Sequence, residues 1–227
     1  MPNPQPPLIY GHYFHIYNRG TNGCNLFSET KNYEYFLQLY DKYIAEIADT
    51  YAWVLMPNHF HFLVRIKDEV NIGFNFRKQI IREESAQRIE MQSLISSSDF
   101  NPDTDFILEK LKPQNQFSNL FNAYAQAYNK KYHRTGSLFE HTFHRKEVGN
   151  IGYFKQVVLY IHNNPVHHGF CSHPVEYPWS SYITCISDKN TKLKRDAVIE
   201  WFDNVEDFIS IHEKNFDVSE IDQWLEI

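Results

Sequence analysis

The sequence predicts an α+β fold in which helices cover one face of an antiparallel sheet, followed by an acidic helical tail. Three observations carry this. Segments of strand-like character interleave with segments of helical spacing in the order β-α-β-β-α-β-α. A Met-Pro-Asn turn at 56–58 joins two short apolar runs into a hairpin. Charge then changes abruptly beyond Asp196.

The elements follow in order. Residues 12–18 (HYFHIYN) are aromatic and β-branched like a strand, and Asn18-Arg19-Gly20 breaks it. Residues 32–47 place Tyr33, Phe36, Leu37, Tyr40, Tyr43, Ile44 and Ile47 at helical spacing. Strands are expected at 51–55 and 59–66, on either side of the turn. A helical segment is expected between 72 and about 95, and the polar run SSSDFNPDTD then gives a flexible loop near 96–106. Residues 117–132 read as a helix, 144–148 as a short strand, and 151–163 as a helix that Pro165 stops. The expected division is a domain over 1–185 and a tail over 186–227.

With 227 residues, 42% hydrophobic and 16% aromatic, the chain can bury a substantial core. No run of about 18 apolar residues is present, and MPNPQPPLIY lacks the basic and apolar regions of a signal peptide. A cytoplasmic protein without membrane contact is the expectation. Cys24, Cys171 and Cys185 are odd in number and widely spaced, as reduced thiols are. From Asp196 onward ten acidic residues face one basic residue, Lys214, a local charge of −9; the rest of the chain then holds 21 basic and 18 acidic residues, or +3. Arg77, Lys78, Arg82 and Arg88 form one cluster of cations, and Lys130, Lys131, Arg134, Arg145 and Lys146 a second, with Arg19 after the first strand. Each either contacts nucleic-acid phosphates, provided the cluster shares one face, or is ordinary solvated surface.

Two stretches carry chemistry. In MPNHFHFLVR, His59 and His61 stand two apart on a strand and therefore share a face, about 7 Å apart, while Phe60 and Phe62 take the other. This is half of a metal site awaiting a third ligand, or a pair of histidines hydrogen-bonded at a half-buried surface. In YFKQVVLYIHNNPVHHGF, Tyr160 and Asn164 lie at i and i+4, one turn apart on one helix face. They either point into a common pocket, or Tyr160 packs in the core while Asn164 ends the helix before Pro165.

The segments MPNHFHFLV, RTGSLFEHTFHRKEV, YIHNNPVHHGF and YPWSSY, in this order and spacing, resemble the single-tyrosine HUH transposases, in particular the REP-associated tyrosine transposase branch. The likeness runs from about Tyr10 to Tyr182. It implies a ferredoxin-like fold with the histidines on a central strand. It implies that His59 and His61 hold a magnesium or manganese ion, with Asn164 completing the metal site, and that Tyr160 is the nucleophile. It implies cleavage and rejoining of single-stranded, hairpin-forming DNA through a 5′-phosphotyrosine. Arg19, Lys130, Lys131, Arg134, Arg145 and Lys146 become the expected DNA contacts, and Phe139, Tyr128 and Tyr132 candidate stacking platforms, although Tyr124, Tyr128 and Tyr132 also form a core-like stripe. Relatives act as monomers or as homodimers that exchange helices.

The chain departs from the pattern at Glu140, where relatives commonly carry glutamine and where a negative charge repels phosphate unless it is paired. The acidic tail lies outside the likeness; it is either a solvated helix, for which FDNVEDFISIHEKNF has the spacing, or an internal competitor for the basic groove. Two other functions fit parts of the sequence. One is a host-adopted DNA-binding protein that does not cut, which would be expected to have lost a histidine or the tyrosine. The other is a zinc hydrolase on His141, His144, His167 and His168, for which no H-E-x-x-H is present.

Overall fold

The computed structural model describes residues 5–78, 106–140, 142–214 and 221. The elements are β1 (Tyr13–Arg19), α1 (Thr30–Ile44), β2 (Ala48–Leu55), β3 (His59–Ile66), β4 (Phe74–Lys78), β5 (Phe106–Lys110), α2 (Pro113–Lys131), β6 (His144–Val148), α3 (Ile151–His167), a short α4 (Tyr182–Cys185), α5 (Arg195–Trp201) and α6 (Val205–Glu213). One sheet runs β2-β3-β1-β6 with every pairing antiparallel. With α1 between β1 and β2, and α2 between β3 and β6, this is the ferredoxin-like arrangement.

Strand alternation divides the side chains between two cores. Phe60, Phe62, Val64 and Ile66 of β3 and Phe14 and Ile16 of β1 are buried with Phe36 of α1 and Phe117, Leu120, Phe121 and Tyr124 of α2. Burying side chains of this size contributes roughly 1.5–3 kcal/mol each, which holds both helices on that face. The opposite face carries Tyr13, His15 and Tyr17 of β1 and His61 and Leu63 of β3. There α3 packs with Val157, Val158, Tyr160 and Ile161. A bulge between Thr50 and Ala52 interrupts the β2 register, and Tyr51 and Ala52 both join this second core.

The entry to β3 is fixed from outside the hairpin. The N–H groups of Leu26 and Phe27 donate to the Pro57 carbonyl at 2.7 and 2.9 Å, and Gly20 N–H donates to the Asn58 carbonyl at 2.8 Å. A Cβ at Gly20 would stand 2.0 Å from the Cys24 carbonyl oxygen, so only glycine admits this close approach.

Within the span 72 to about 95 expected to contain a helical segment, Phe74–Lys78 is strand β4, paired antiparallel with β5; residues 79–105, with the rest of that span, nearly all of the expected loop, Arg82 and Arg88, lie outside the described residues. Two expectations change. Pro165 does not stop α3, which continues to His167. Proline removes one N–H near the helix end, and the following N–H groups are satisfied, His168 to Asn164 O at 3.0 Å and Phe170 to Pro165 O at 2.8 Å. Finally, α6 is the helix expected within the acidic tail, but its apolar side is not solvated. Val198, Phe202, Phe208 and Ile221 are buried in the same core as Val157 and Ile161 of α3, across the expected boundary at 185/186.

Candidate active site between β3 and α3

His59 and His61 project from β3 towards α3, whose buried face presents Tyr160 and Asn164 one turn apart. Because α3 continues through Pro165, Asn164 keeps its helical position. Its Oδ1 lies 2.8 Å from His59 Nε2. The Tyr160 ring stands edge-on to His61, with centroids 5.3 Å apart and planes at 89°. Side chains about 100 residues apart in sequence are thus in contact. Asn150 caps the N-terminus of α3, accepting from Tyr153 N–H at 3.0 Å.

Burial sets the charge state. His59 is pushed down to about 4, chiefly by burial, against the opposing effect of its Asn164 contact, and His168 and Arg19 lower it further. His61 is held well below the usual imidazole range by burial and then by His15, His59 and His168. Both are neutral at pH 7, the form that coordinates metal.

The donor atoms fit a divalent cation. His59 Nδ1 lies 2.8 Å from Asn58 Oδ1 and Nε2 lies 2.8 Å from Asn164 Oδ1. A neutral imidazole has one N–H. When Nδ1–H donates to Asn58, the Nε2 lone pair faces an amide oxygen, an arrangement that calls for a cation or a turned amide. Neighbouring donors around an octahedral magnesium ion stand about 3 Å apart, given metal–oxygen distances near 2.1 Å. Nitrogen and oxygen donors together suit magnesium or manganese. Among the described residues no group of three or more His, Cys, Asp or Glu side chains is arranged to hold a metal. Among the described residues His144, His167 and His168 do not form the zinc cluster of the hydrolase reading; His141 lies outside the described residues.

The expected DNA contacts separate. Arg19 pairs in register with His59 and Lys146 with His15, so both belong to the histidine face. Glu140 is paired, its Oε1 accepting from Arg19 Nε at 2.8 Å, which answers the repulsion expected of a carboxylate there. Lys130 is exposed in the last turn of α2, and Lys131 pairs with Glu29. Arg134 is half-buried over the Tyr128 ring at 5.8 Å. Arg145, expected to contact DNA, is 8% exposed and donates to the carbonyls of Pro6 and Gln5. The second cluster thus does not share one face, because Arg145 and Lys146 alternate across a strand. Phe139, Tyr124 and Tyr128 are buried in the first core, with Tyr132 packed against it. A cleft of about 490 Å³ between α2 and the segment around Ser137 lies beside that core, on the other side of the sheet from the histidines.

Sequence reasoning missed three members of the site. His15, fully buried, lies with Nε2 3.0 Å from His61 Nδ1. His168 stands with its ring centroid 5.0 Å from that of His59. Tyr17 stacks on His144 at 5.0 Å. The signal for His15 and Tyr17 was present in the period-two row Tyr13, His15, Tyr17, which shares the face of His61 through the β1–β3 pairing; His168 entered only as a zinc ligand of the hydrolase reading, with nothing in its spacing to link it to His59.

No family model matches the chain, and no curated protein matches it. Among solved structures, a REP-associated tyrosine transposase bound to a REP hairpin matches with a TM-score of 0.56 and 15% sequence identity, over 83% of this chain and 87% of that one. The α+β architecture that carries His59, His61, Tyr160 and Asn164 is therefore the fold of a REP-associated tyrosine transposase.

Proposed function

We propose that this protein cleaves and rejoins single-stranded DNA near hairpins, with Tyr160 as nucleophile and His59, His61 and Asn164 as ligands of a magnesium or manganese ion. The observation that carries the reading is the convergence of two neutral imidazoles from β3 with a phenol and an amide from α3, on the fold of a transposase bound to a REP hairpin.

The cation, when bound, polarises the scissile phosphate and offsets the charge that grows on its non-bridging oxygens. The protein supplies position. Tyr160, held by α3 against His61, attacks phosphorus in line; the new P–O bond forms on the phenol as the bond to the 3′ oxygen breaks. The phenol gives up a proton and the departing 3′ oxygen takes one, leaving a free 3′-hydroxyl and a 5′-phosphotyrosine. The reverse attack by another 3′-hydroxyl rejoins the strand. Arg19 and Lys146, on the same face, are the cations best placed for the phosphates beside the scissile one, and Glu140 yields Arg19 to them.

The test is incubation with labelled hairpin-bearing single-stranded DNA and manganese, followed by a denaturing gel. The expected result is a protein band carrying label that disappears in Tyr160→Phe and without divalent metal. A labelled band that persists in Tyr160→Phe assigns another nucleophile. Hairpin binding with no adduct assigns a binding protein that does not cut.

A further inference from the structure

His15 is fully buried on β1, on the sheet face that also carries His61, and takes no part in the proposed reaction. Its Nε2 lies 3.0 Å from His61 Nδ1, with ring centroids 5.1 Å apart and planes within 13°. Rings in that relation meet edge to edge, along the line of a single N–H···N bond. Its other nitrogen, Nδ1, is buried with no hydrogen-bond partner among the described residues.

Two neutral imidazoles sharing one hydrogen have two arrangements. In the first, His15 Nε2–H donates to His61 Nδ1. His61 then carries its own hydrogen on Nε2 and cannot ligate through it, while His15 Nδ1 is a bare lone pair. In the second, His61 Nδ1–H donates to His15 Nε2. His61 Nε2 is then a lone pair available to a cation, and His15 carries its hydrogen on the buried, unpartnered Nδ1. A buried N–H without an acceptor is rarer than a buried acceptor without a donor, so the first arrangement suits the metal-free protein. The second suits the loaded one. In the change His61 Nε2 releases its hydrogen to solvent as a proton, the bridging hydrogen passes from His15 Nε2 to His61 Nδ1, and His15 Nδ1 takes one proton from solvent during a local opening; the pair holds two hydrogens before and after, so the change needs no net proton.

We propose that His15 is a positioning residue for the metal site: it dictates which nitrogen of His61 bears the hydrogen, and the pair passes from the first arrangement to the second when a divalent cation binds. The proposal rests on the metal-site reading given above. A ring that ligates through one nitrogen is commonly oriented by an acceptor at the other. Here that acceptor is a second histidine, in place of a carboxylate or a carbonyl.

The test uses the full chain carrying Tyr160→Phe, so that binding is read without cleavage. With histidine nitrogens labelled, long-range proton–nitrogen spectra should place the hydrogen of His61 on Nε2 before magnesium is added and on Nδ1 afterwards, with His15 moving in step. Manganese affinity should fall by about tenfold or more in His15→Phe. His15→Gln, whose carbonyl can accept from His61 Nδ1–H, should recover most of that loss. His15→Phe binding manganese as tightly as its parent overturns the proposal. So does a magnesium-loaded His61 that keeps its hydrogen on Nε2, a reading that needs no variant to fold. A parent chain that binds no divalent cation overturns both the proposal and the metal site beneath it. Normal cation binding with no DNA adduct on the chain with Tyr160 intact defeats the cleavage reading alone.

Discussion

At the scale of single residues, Asn164 is the side chain whose role can be separated from folding. It is 1% exposed, and its Oδ1 faces a lone pair of His59 once Asn58 has taken the Nδ1 hydrogen. Asn164→Ala should lower manganese affinity by about tenfold, and Asn164→Asp, which adds a charged oxygen at the same place, should restore or exceed it. Calorimetric titration of manganese into the Tyr160→Phe background reads both; equal affinities across the three chains would remove Asn164 from the site. The pair His59 and His61 was legible in the sequence because strand alternation alone puts them on one face. Tyr160 was not separable from a core tyrosine on spacing alone, and only the four-segment resemblance singled it out. The period-two row Tyr13, His15, Tyr17 puts His15 on one face of its strand, but only the β1–β3 register shows that this is the face of His61.

At the scale of elements, the contact between α3 and the C-terminal helices decides how firmly Tyr160 is held. His162, on the side of α3 away from His59, has Nε2 2.7 Å from Ser181 Oγ and Nδ1 3.0 Å from His212 Nε2 of α6. His212 Nδ1 donates to the Phe208 carbonyl at 2.7 Å, and Ser181 Oγ accepts from Trp53 N–H at 2.8 Å. These four hydrogen bonds tie α6, α3 and β2 together. His212→Ala should destabilise the chain by about 2–4 kcal/mol, through lost burial and an unpaired His162 nitrogen. Urea unfolding measures it; a change below about 0.5 kcal/mol, the range of ordinary surface substitutions, would show the network to be ornamental. The sequence conveyed the order of α1, β2, β3 and β6 and the bounds of β3 and β6, while β2 begins at Ala48 instead of 51 and α1 runs over Thr30–Ile44 instead of 32–47. It did not reveal β4, where charged residues follow Phe74-Asn75-Phe76 in a strand that exists through its pairing with β5. It misled at Pro165, because proline is tolerated where few helical N–H groups remain to be lost. The acidic tail hid its apolar side for a related reason: Val198, Phe202 and Phe208 are few among many carboxylates, and only packing reveals that they share one core.

At the scale of the whole molecule, the buried histidines make stability depend on pH. His15 is pushed down to about 3 and His212 to about 4 by burial, and His61 and His162 are held well below their ordinary value by burial and by neighbouring imidazoles. Their folded values lie below the unfolded value near 6.5, so the unfolded chain binds more protons as pH falls through that value. Their contribution is complete above about pH 6.5 and is lost progressively towards pH 4 and below, each histidine giving up to about 1.4 kcal/mol per pH unit within its window. Urea unfolding at pH 7.5 and 5.0 should therefore differ by several kcal/mol, and equal stabilities would mean that these imidazoles are not buried neutral. The ferredoxin-like sheet, the two cores and the C-terminal helices together serve to hold one helix face against one strand. The claim that this contact is a strand-cleavage centre is tested most directly by peptide mass spectrometry after reaction with hairpin DNA, manganese and nuclease digestion. The account predicts a nucleotide remnant on the α3 peptide, localised to Tyr160; a remnant on a different residue, or unmodified Tyr160 in a chain that has cut its DNA, would contradict it.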